Sequence, residues 1–193
     1  MNKKMDTEKA LKNLKDATEI IRDCGLSYFL IDGTLLGAVR EGNFIGHDTD
    51  IDLGVFMEEW TIGNFTDVFY KMMKAGFILY HSFGIFGKHF EVAWFRDGIK
   101  IDFFFYYKVG DKIRFNAFLK GGRTLPDDIL TYEYDAKNFT ISNSMVFNGH
   151  IFFVPFAPEE VLETKYGPEW RTPVKRWDWA HGPKNLISQG KFL

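Results

Sequence analysis

Residues 32–56 read DGTLLGAVREGNFIGHDTDIDLGVF, and they place Asp48, Asp50 and Asp52 at alternate positions. In an extended strand, residues two apart point to the same side. The three carboxylates are therefore expected to crowd one face, while the apolar residues between and after them face a core. Carboxylates this close repel one another, and a hard divalent cation, which takes oxygen ligands from carboxylates and phosphate, relieves that repulsion. The pattern predicts a metal-dependent phosphate-transfer site.

Two other interpretations of these acids are a polar turn and a calcium loop. Asp and Asn are common in turns, so D-T-D alone is also compatible with a turn. An EF-hand loop needs Gly at its sixth position. Counting from Asp48, the sixth residue is Leu53, which lies in an apolar run, so calcium-loop geometry is disfavoured.

The composition predicts a single globular domain over residues 1–193. Apolar residues make up 46% of the chain, which excludes a disordered protein. A net charge of −2 shows no excess of positive charge of the kind that binds nucleic acid. The single Cys24 excludes an intramolecular disulfide and argues against a cysteine zinc site. Without a signal-like or membrane-length apolar run, we expect a cytoplasmic protein with no membrane insertion.

The spacing of apolar residues and turn residues predicts an α+β fold, in which helices pack on a mixed sheet. Gly or Pro ends most of these segments, and Asp97-Gly98 is a strong hairpin signal. A further turn is predicted at Gly121-Gly122, and irregular chain is predicted from Arg171. Helices are expected over residues 7–24, 34–40, 64–75 and 158–166, and strands over 27–31, 49–56, 77–83, 86–96, 99–107, 112–119 and 139–154.

A fourth acid, Asp102, lies in the apolar stretch KIDFFFYY of residues 100–107. Strand alternation puts it on the face opposite Ile101 and Phe103, where burial is costly unless the acid is paired or bound to metal. The alternative is a solvent-facing Asp on a half-exposed sheet. If the two acidic strands are neighbours, Asp102 is expected to converge with the first cluster on two cations about 4 Å apart.

These motifs resemble the polymerase-beta-like nucleotidyltransferase fold, whose signature is a Gly-Thr turn, a D-x-D strand and a later lone Asp. More specifically, G-T-L-L-G-A-x-R followed by D-x-D-x-D is similar to the LicD and fukutin-related phosphosugar transferases, as is Tyr166-Gly167 near the C-terminus. The resemblance covers about residues 28–107 and 158–175. Gly46-His47 departs from it, because the group usually has proline and an aromatic residue there.

The resemblance implies transfer of a phosphocholine- or ribitol-phosphate-like group from a CDP-activated donor to a glycan hydroxyl, with release of CMP and dependence on Mg²⁺ or Mn²⁺. Asp50, Asp52 and Asp102 would be catalytic residues and metal ligands, with Asp102 also a candidate base. Asp48 would be a further ligand. Two alternatives remain open. One is a nucleotidyltransferase that moves NMP from an NTP to a small molecule, protein or RNA, and the other is a non-catalytic binding module.

Five residues are predicted to bind substrate. Gly33 and Thr34 would present backbone amides and a hydroxyl to phosphate at a helix N-terminus. Arg40 would reach the diphosphate, unless it is only an exposed cation at a helix end. His47 lies beside the acids, and Lys88 precedes the fourth acid in a predicted strand. In the C-terminal segment, Trp177 and Trp179 are expected either to stack on substrate or to anchor the chain.

Overall fold

The structure, a computed structural model, describes residues 5–119, 128–140, 143–174 and 176–191. Within these ranges it contains four α-helices, ten strands and two short 3-10 turns, Met57–Glu59 and Ala136–Phe139. The helices are α1 (Thr7–Asp23), α2 (Asp32–Glu41), α3 (Ile62–Lys74) and α4 (Pro158–Tyr166). The strands are β1 (Phe29–Leu30), β2 (Asp50–Phe56), β3 (Ile78–Ile85), β4 (His89–Arg96), β5 (Ile99–Val109), β6 (Lys112–Leu119), β7 (Asp128–Asp135), β8 (Asn143–Phe147), β9 (His150–Val154) and β10 (Leu186–Lys191).

Eight strands form one mixed sheet centred on β5, and the predicted α+β class is confirmed. Strand β2 runs parallel to β5 along one edge, which brings the two acidic strands together. Along the other edge, β4 pairs with the first part of β5 and β6 pairs with its end, both antiparallel. The sheet continues through β7 to β10 on one side, and β3 lies outside β4. Strands β8 and β9 form a separate hairpin.

Helix α1 is amphipathic, and its buried side chains Leu14 and Ile21 share a core cluster with Ile101 and Phe103 of β5. Hydrogen bonds from Arg96, the last residue of β4, fix this helix to the end of the sheet. Arg96 donates to Asn13 Oδ1 (2.7 Å) and to an Asp16 carboxylate oxygen (2.6 Å), and its guanidinium lies over the ring of Phe77. Helix α2 contacts β2 and α4, so it is held beside the acidic strand of the sheet.

Several predicted boundaries were wrong. Helix α2 begins at Asp32 rather than Thr34, because Asp32 adopts a left-handed φ of 53° and turns β1 directly into the helix. Residues 86–88 form the turn of the β3–β4 hairpin. The strand predicted over 139–154 is instead a 3-10 turn followed by the β8–β9 hairpin, whose tight turn is Asn148-Gly149, both with positive φ.

Strands β7 and β10 were not predicted. Strand β10 reads LISQGK and is almost fully exposed, so it lacks the apolar alternation that marks a half-buried strand, and it forms through backbone pairing with β7. The turn predicted at Gly121-Gly122 lies outside the described residues. Among the helices that the structure describes, none is both long and apolar enough to cross a membrane.

Candidate active site

The acids of β2 and β5 meet at one point of the sheet. Asp52 lies directly opposite Asp102 in the parallel pairing, and Asp50 lies opposite Lys100. Carboxylate oxygens of Asp50, Asp52 and Asp102 all lie within 4.8 Å of one another. The structure therefore brings Asp102 to Asp50 and Asp52, as expected if the two acidic strands are neighbours, whereas Asp48 lies before β2 rather than in the strand.

The Gly-Thr turn holds Asp52 from two sides. The backbone N–H of Gly33 donates to Asp52 Oδ2 (3.0 Å), and the Asp52 N–H donates to the Thr34 hydroxyl (2.9 Å). Gly33 also lies against Asp48, because a Cβ at this position would be 2.8 Å from Asp48 Oδ2. A side chain at position 33 would therefore require the Asp48 carboxylate to shift away from the start of the helix.

Burial and mutual repulsion raise the pKa values of these acids. Burial, and then the charge of Asp50, raise the pKa of Asp48 to about 7. Burial, followed by Asp50 and Asp32, holds the pKa of Asp52 well above its usual range. Burial also raises the pKa of Asp102 to about 7, although the neighbouring Lys100 opposes the shift. The site thus concentrates more negative charge than its protein environment compensates.

Lys100 is the cation of this cluster, and the sequence-based prediction missed its role. Its ammonium lies 2.6 Å from Asp102 Oδ2 and 3.2 Å from Asp50 Oδ2. Burial disfavours its charged form, but Asp102 and Asp50 outweigh burial and raise the pKa of Lys100. A lysine two residues before an acid on a strand points to the same side, and that spacing is the signal that could have identified it.

The donor set fits a divalent cation. Among the described residues, no group hydrogen-bonds to the buried Oδ1 of Asp102, and Lys100 pairs with two of the acids, Asp50 and Asp102. Carboxylate oxygens are the ligands that Mg²⁺ and Mn²⁺ prefer. Asp50, Asp52 and Asp102 could hold such a cation, with Asp48 next to them.

A cavity of about 750 Å³ opens over the acids. The α2 side contributes Gly33, Arg40 and His47, and the sheet contributes aromatic and polar side chains. A further wall comes from α4 and the chain after it, where Trp177 packs on Tyr166 with ring centroids 5.0 Å apart and Trp179 is 56% exposed. The wall that the C-terminal segment forms is lined by Lys165, Tyr166, Glu169, Trp170, Thr172, Val174, Trp177 and Trp179.

The predicted substrate-binding residues are distributed unevenly around this cavity. Gly33, Arg40 and His47 line it, but Arg40 is only 11% exposed and is paired with Glu41. Thr34 is fully buried and is not among the lining residues. Lys88 is exposed in the β3–β4 turn, also away from the lining, so its contact with phosphate stays a prediction.

A buried ion pair that the sequence-based prediction missed joins α2 to α4. Lys165 pairs with Asp32, and its ammonium lies 5.6 Å from the ring centroids of Phe115 and Tyr132. The available signal was the position of Lys165 directly before Tyr166-Gly167. A pair between residues this far apart in the chain has no local pattern, so the contact emerges only from the fold.

Residues 25–155 match the family model described as LicD/FKTN/FKRP, nucleotidyltransferase domain. The chain belongs to the LicD/FKTN/FKRP family. The region that matches this LicD-family domain contains the Gly33-Thr34 turn, the acidic strand β2 and Asp102, whereas the cavity wall from Lys165 to Trp179 lies after it.

Curated relatives agree with the family assignment. Ribitol-5-phosphate transferase FKTN of Macaca fascicularis is 29% identical over 178 residues, which cover 92% of this chain and 36% of that protein. The Mus musculus FKTN is 28% identical over 184 residues, which cover 95% of this chain and 38% of that protein. Ribitol 5-phosphate transferase FKRP of Homo sapiens is 42% identical over 45 residues, or 23% of this chain and 9% of that protein. The LicD-family chain thus spans little more than a third of the length of its FKTN relatives.

Proposed function

We propose that this protein is a transferase that moves a ribitol-phosphate- or phosphocholine-like group from a CDP-activated donor to a glycan hydroxyl and releases CMP. One observation carries the proposal: Asp50, Asp52 and Asp102 converge beneath an open cavity in a chain of the LicD/FKTN/FKRP family. The names of its FKTN and FKRP relatives, which are ribitol-phosphate transferases, support the type of group transferred.

The proposal includes a cation, Mg²⁺ or Mn²⁺, held by Asp50, Asp52 and Asp102, with Asp48 as a further ligand. Such a cation would neutralise charge on the diphosphate and on the departing CMP. Asp52 suits this role because the Gly33 amide and the Thr34 hydroxyl fix its position before any ligand arrives. A preset carboxylate loses little conformational entropy on binding.

Asp102 is proposed as the base. Asp102 lines the cavity beside Lys100, where its carboxylate would accept the proton of the acceptor hydroxyl. The acceptor oxygen forms a bond to phosphorus as the bond from phosphorus to the CMP oxygen breaks. Lys100 keeps the carboxylate oriented through this step, and positioning of this kind is the main protein contribution to phosphoryl-type transfer.

Arg40 and the aromatic wall are proposed to bind the two substrates. Arg40 lines the cavity and would exchange its pairing with Glu41 for a diphosphate oxygen, since a guanidinium binds phosphate in a bidentate manner. Trp177 and Trp179 line the wall that the C-terminal segment forms, where an indole face can stack on cytosine or a sugar ring. The open cavity leaves room for an acceptor to approach from that side.

Product analysis tests the proposal. The protein is incubated with Mg²⁺, a panel of soluble glycans, and either CDP-ribitol or CDP-choline, or else CTP or ATP, and CMP and pyrophosphate are measured. We expect CMP from a CDP-alcohol and no pyrophosphate from either triphosphate, and we expect Asp52→Asn to abolish CMP release. Pyrophosphate release from a triphosphate would favour a nucleotidyltransferase instead.

A further inference from the structure

A second polar cluster lies beside the acids, on the β3–β4 side of Asp102. Across four neighbouring strands, His81, Ala93, Asp102 and Asp52 stand opposite one another in register. Ala93 is fully buried, and its methyl group is the only side chain that stands between His81 and Asp102 in this row. Residues opposite each other on one sheet face have neighbouring side chains, so this row extends the acidic site sideways.

His81 is held in a fixed orientation. Its Nε2 lies 2.8 Å from Glu91 Oε1, and its ring stacks on Phe83 at a centroid distance of 4.4 Å and an angle of 12°. The register of β3 shifts between Leu79 and His81, an irregularity of the kind that redirects side chains next to active sites. The imidazole is thus aimed and immobilised.

Glu91 is the one acid of strand β4, and it is 6% exposed. Its second oxygen, Oε2, accepts a hydrogen bond from the backbone N–H of Phe118 (3.2 Å). The two carboxylate oxygens of Glu91 thus contact one imidazole and one backbone amide. The ammonium of Lys100 pairs with Oδ2 of Asp102, whereas His81 Nδ1 and Asp102 Oδ1 are buried without a hydrogen-bond partner among the described residues.

The three side chains offer ligand atoms to one point. One ligand atom each from His81, Glu91 and Asp102 lie within 4.8 Å of one another. Asp102 is 2% exposed, and among the residues that the structure describes none hydrogen-bonds to its Oδ1. This unpartnered, buried oxygen is the independent sign of a missing ligand, since buried polar atoms are nearly always satisfied.

We propose that His81, Glu91 and Asp102 form a second cation site, which takes a borderline divalent cation such as Mn²⁺, Co²⁺ or Zn²⁺. An imidazole nitrogen with two carboxylates suits these ions, whereas Mg²⁺ prefers oxygen ligands alone. The site shares Asp102 with the proposed magnesium site but does not require that the protein transfers a phosphoalcohol. It would anchor Asp102 from the side opposite Asp52.

Counting bound cations at constant pH tests this site. We expect the wild-type protein to bind two Mn²⁺ but one Mg²⁺ by calorimetry and equilibrium dialysis. His81→Gln should bind one Mn²⁺ and still one Mg²⁺. The matched control is His150→Gln, an exposed histidine on β9, which should keep two Mn²⁺. Glu91→Gln, nearly isosteric, provides a second variant if His81→Gln does not fold.

Coordination of the cation by the His81 imidazole is tested by pulsed electron paramagnetic resonance on bound Mn²⁺. A nitrogen coupling should be present in the wild type and in Asp50→Asn, and absent in His81→Gln. A single Mn²⁺ in the wild type, or unchanged stoichiometry and nitrogen coupling in His81→Gln, would overturn the proposal and identify His81–Glu91 as a simple ion pair. If two Mn²⁺ bind but no CMP is released from any CDP-alcohol, the transferase proposal fails and this site stands.

Discussion

At the scale of single residues, close backbone approach shapes the G-T-L-L-G-A segment. Gly33 brings the start of α2 against Asp48, and Gly37 brings its middle against the following loop, where a Cβ would lie 2.5 Å from the Asn43 carbonyl oxygen. At Gly37 the contacting oxygen belongs to the backbone, so a side chain there would force the chain itself to move, whereas at Gly33 the contacting atoms belong to the Asp48 side chain.

Gly37→Ala is expected to destabilise the protein by about 1–3 kcal/mol, the usual cost of forcing extra atoms into a packed site. The matched control is Gly63→Ala in α3, where the nearest atom to a Cβ is 3.7 Å away. There, alanine should stabilise by up to about 1 kcal/mol through helix propensity. Urea unfolding of both variants measures the difference, and equal effects would contradict the packing argument.

Asp102→Asn is expected to fold normally and to lower CMP release by at least about a hundredfold, the scale expected for loss of a positioned base. The amide keeps the shape of the side chain, and the core face of β5 carries Ile101 and Phe103 instead. Steady-state kinetics should show the loss in kcat. Unchanged turnover in a folded variant would remove Asp102 from both proposed roles.

At the scale of elements, the ion pair between Lys165 and Asp32 fastens α4 to the start of α2. Both side chains are largely buried, at 8% and 13% exposure. Because Asp32 also carries the left-handed turn between β1 and α2, the pair joins the C-terminal wall of the cavity to its acidic floor.

Lys165→Met is expected to cost about 3–5 kcal/mol, because it leaves the Asp32 carboxylate buried without its partner. Adding Asp32→Asn should recover part of that loss. The control is Lys137→Met, which breaks an exposed pair with Glu160, a residue of α4 like Lys165. This variant should change stability by less than about 1 kcal/mol. Urea unfolding decides, and equal losses in the two lysine variants would show that the Asp32 pair contributes no more than a surface contact.

Local patterns predicted those parts of the molecule that local chemistry determines. The alternation in β2 and β5 placed Asp50, Asp52 and Asp102 on one side of each strand, and the structure shows them together. The roles of His81 and Glu91 could not be predicted, because they depend on which strands become neighbours and on a register shift in β3. Strand β10 was missed because its exposed sequence follows no period.

At the scale of the whole molecule, the acidic site opposes folding when no cation is bound. A carboxyl whose pKa is higher in the folded than in the unfolded state binds more protons when folded, so stability falls as pH rises between the two values. For Asp48, with a folded pKa of about 7 against an ordinary value of 3.8, that window runs from about pH 4 to about pH 7.

The stability of the metal-free protein relative to Asp48→Asn is therefore expected to fall by about 1–4 kcal/mol between pH 4.5 and 7.5. Acids with lowered pKa values elsewhere in the protein change its stability with pH in the opposite direction. They are the same in both proteins, so the difference between wild type and variant reports Asp48 alone. Urea unfolding in the presence of a chelator measures it. Adding Mg²⁺ at pH 7.5 should restore the lost stability of the wild type, and parallel pH profiles for the two proteins would contradict the assignment.

The central claim, that the acids form a cation-dependent site for a cytidine diphosphate ester, is tested most directly by calorimetric titration of CDP with and without Mg²⁺. We predict that CDP binds more tightly than GDP or ATP, that removing Mg²⁺ weakens CDP binding at least about tenfold, and that Asp50→Asn loses this dependence. Equal affinity for the three nucleotides, or CDP binding that is indifferent to Mg²⁺ in the wild-type protein, would contradict the claim.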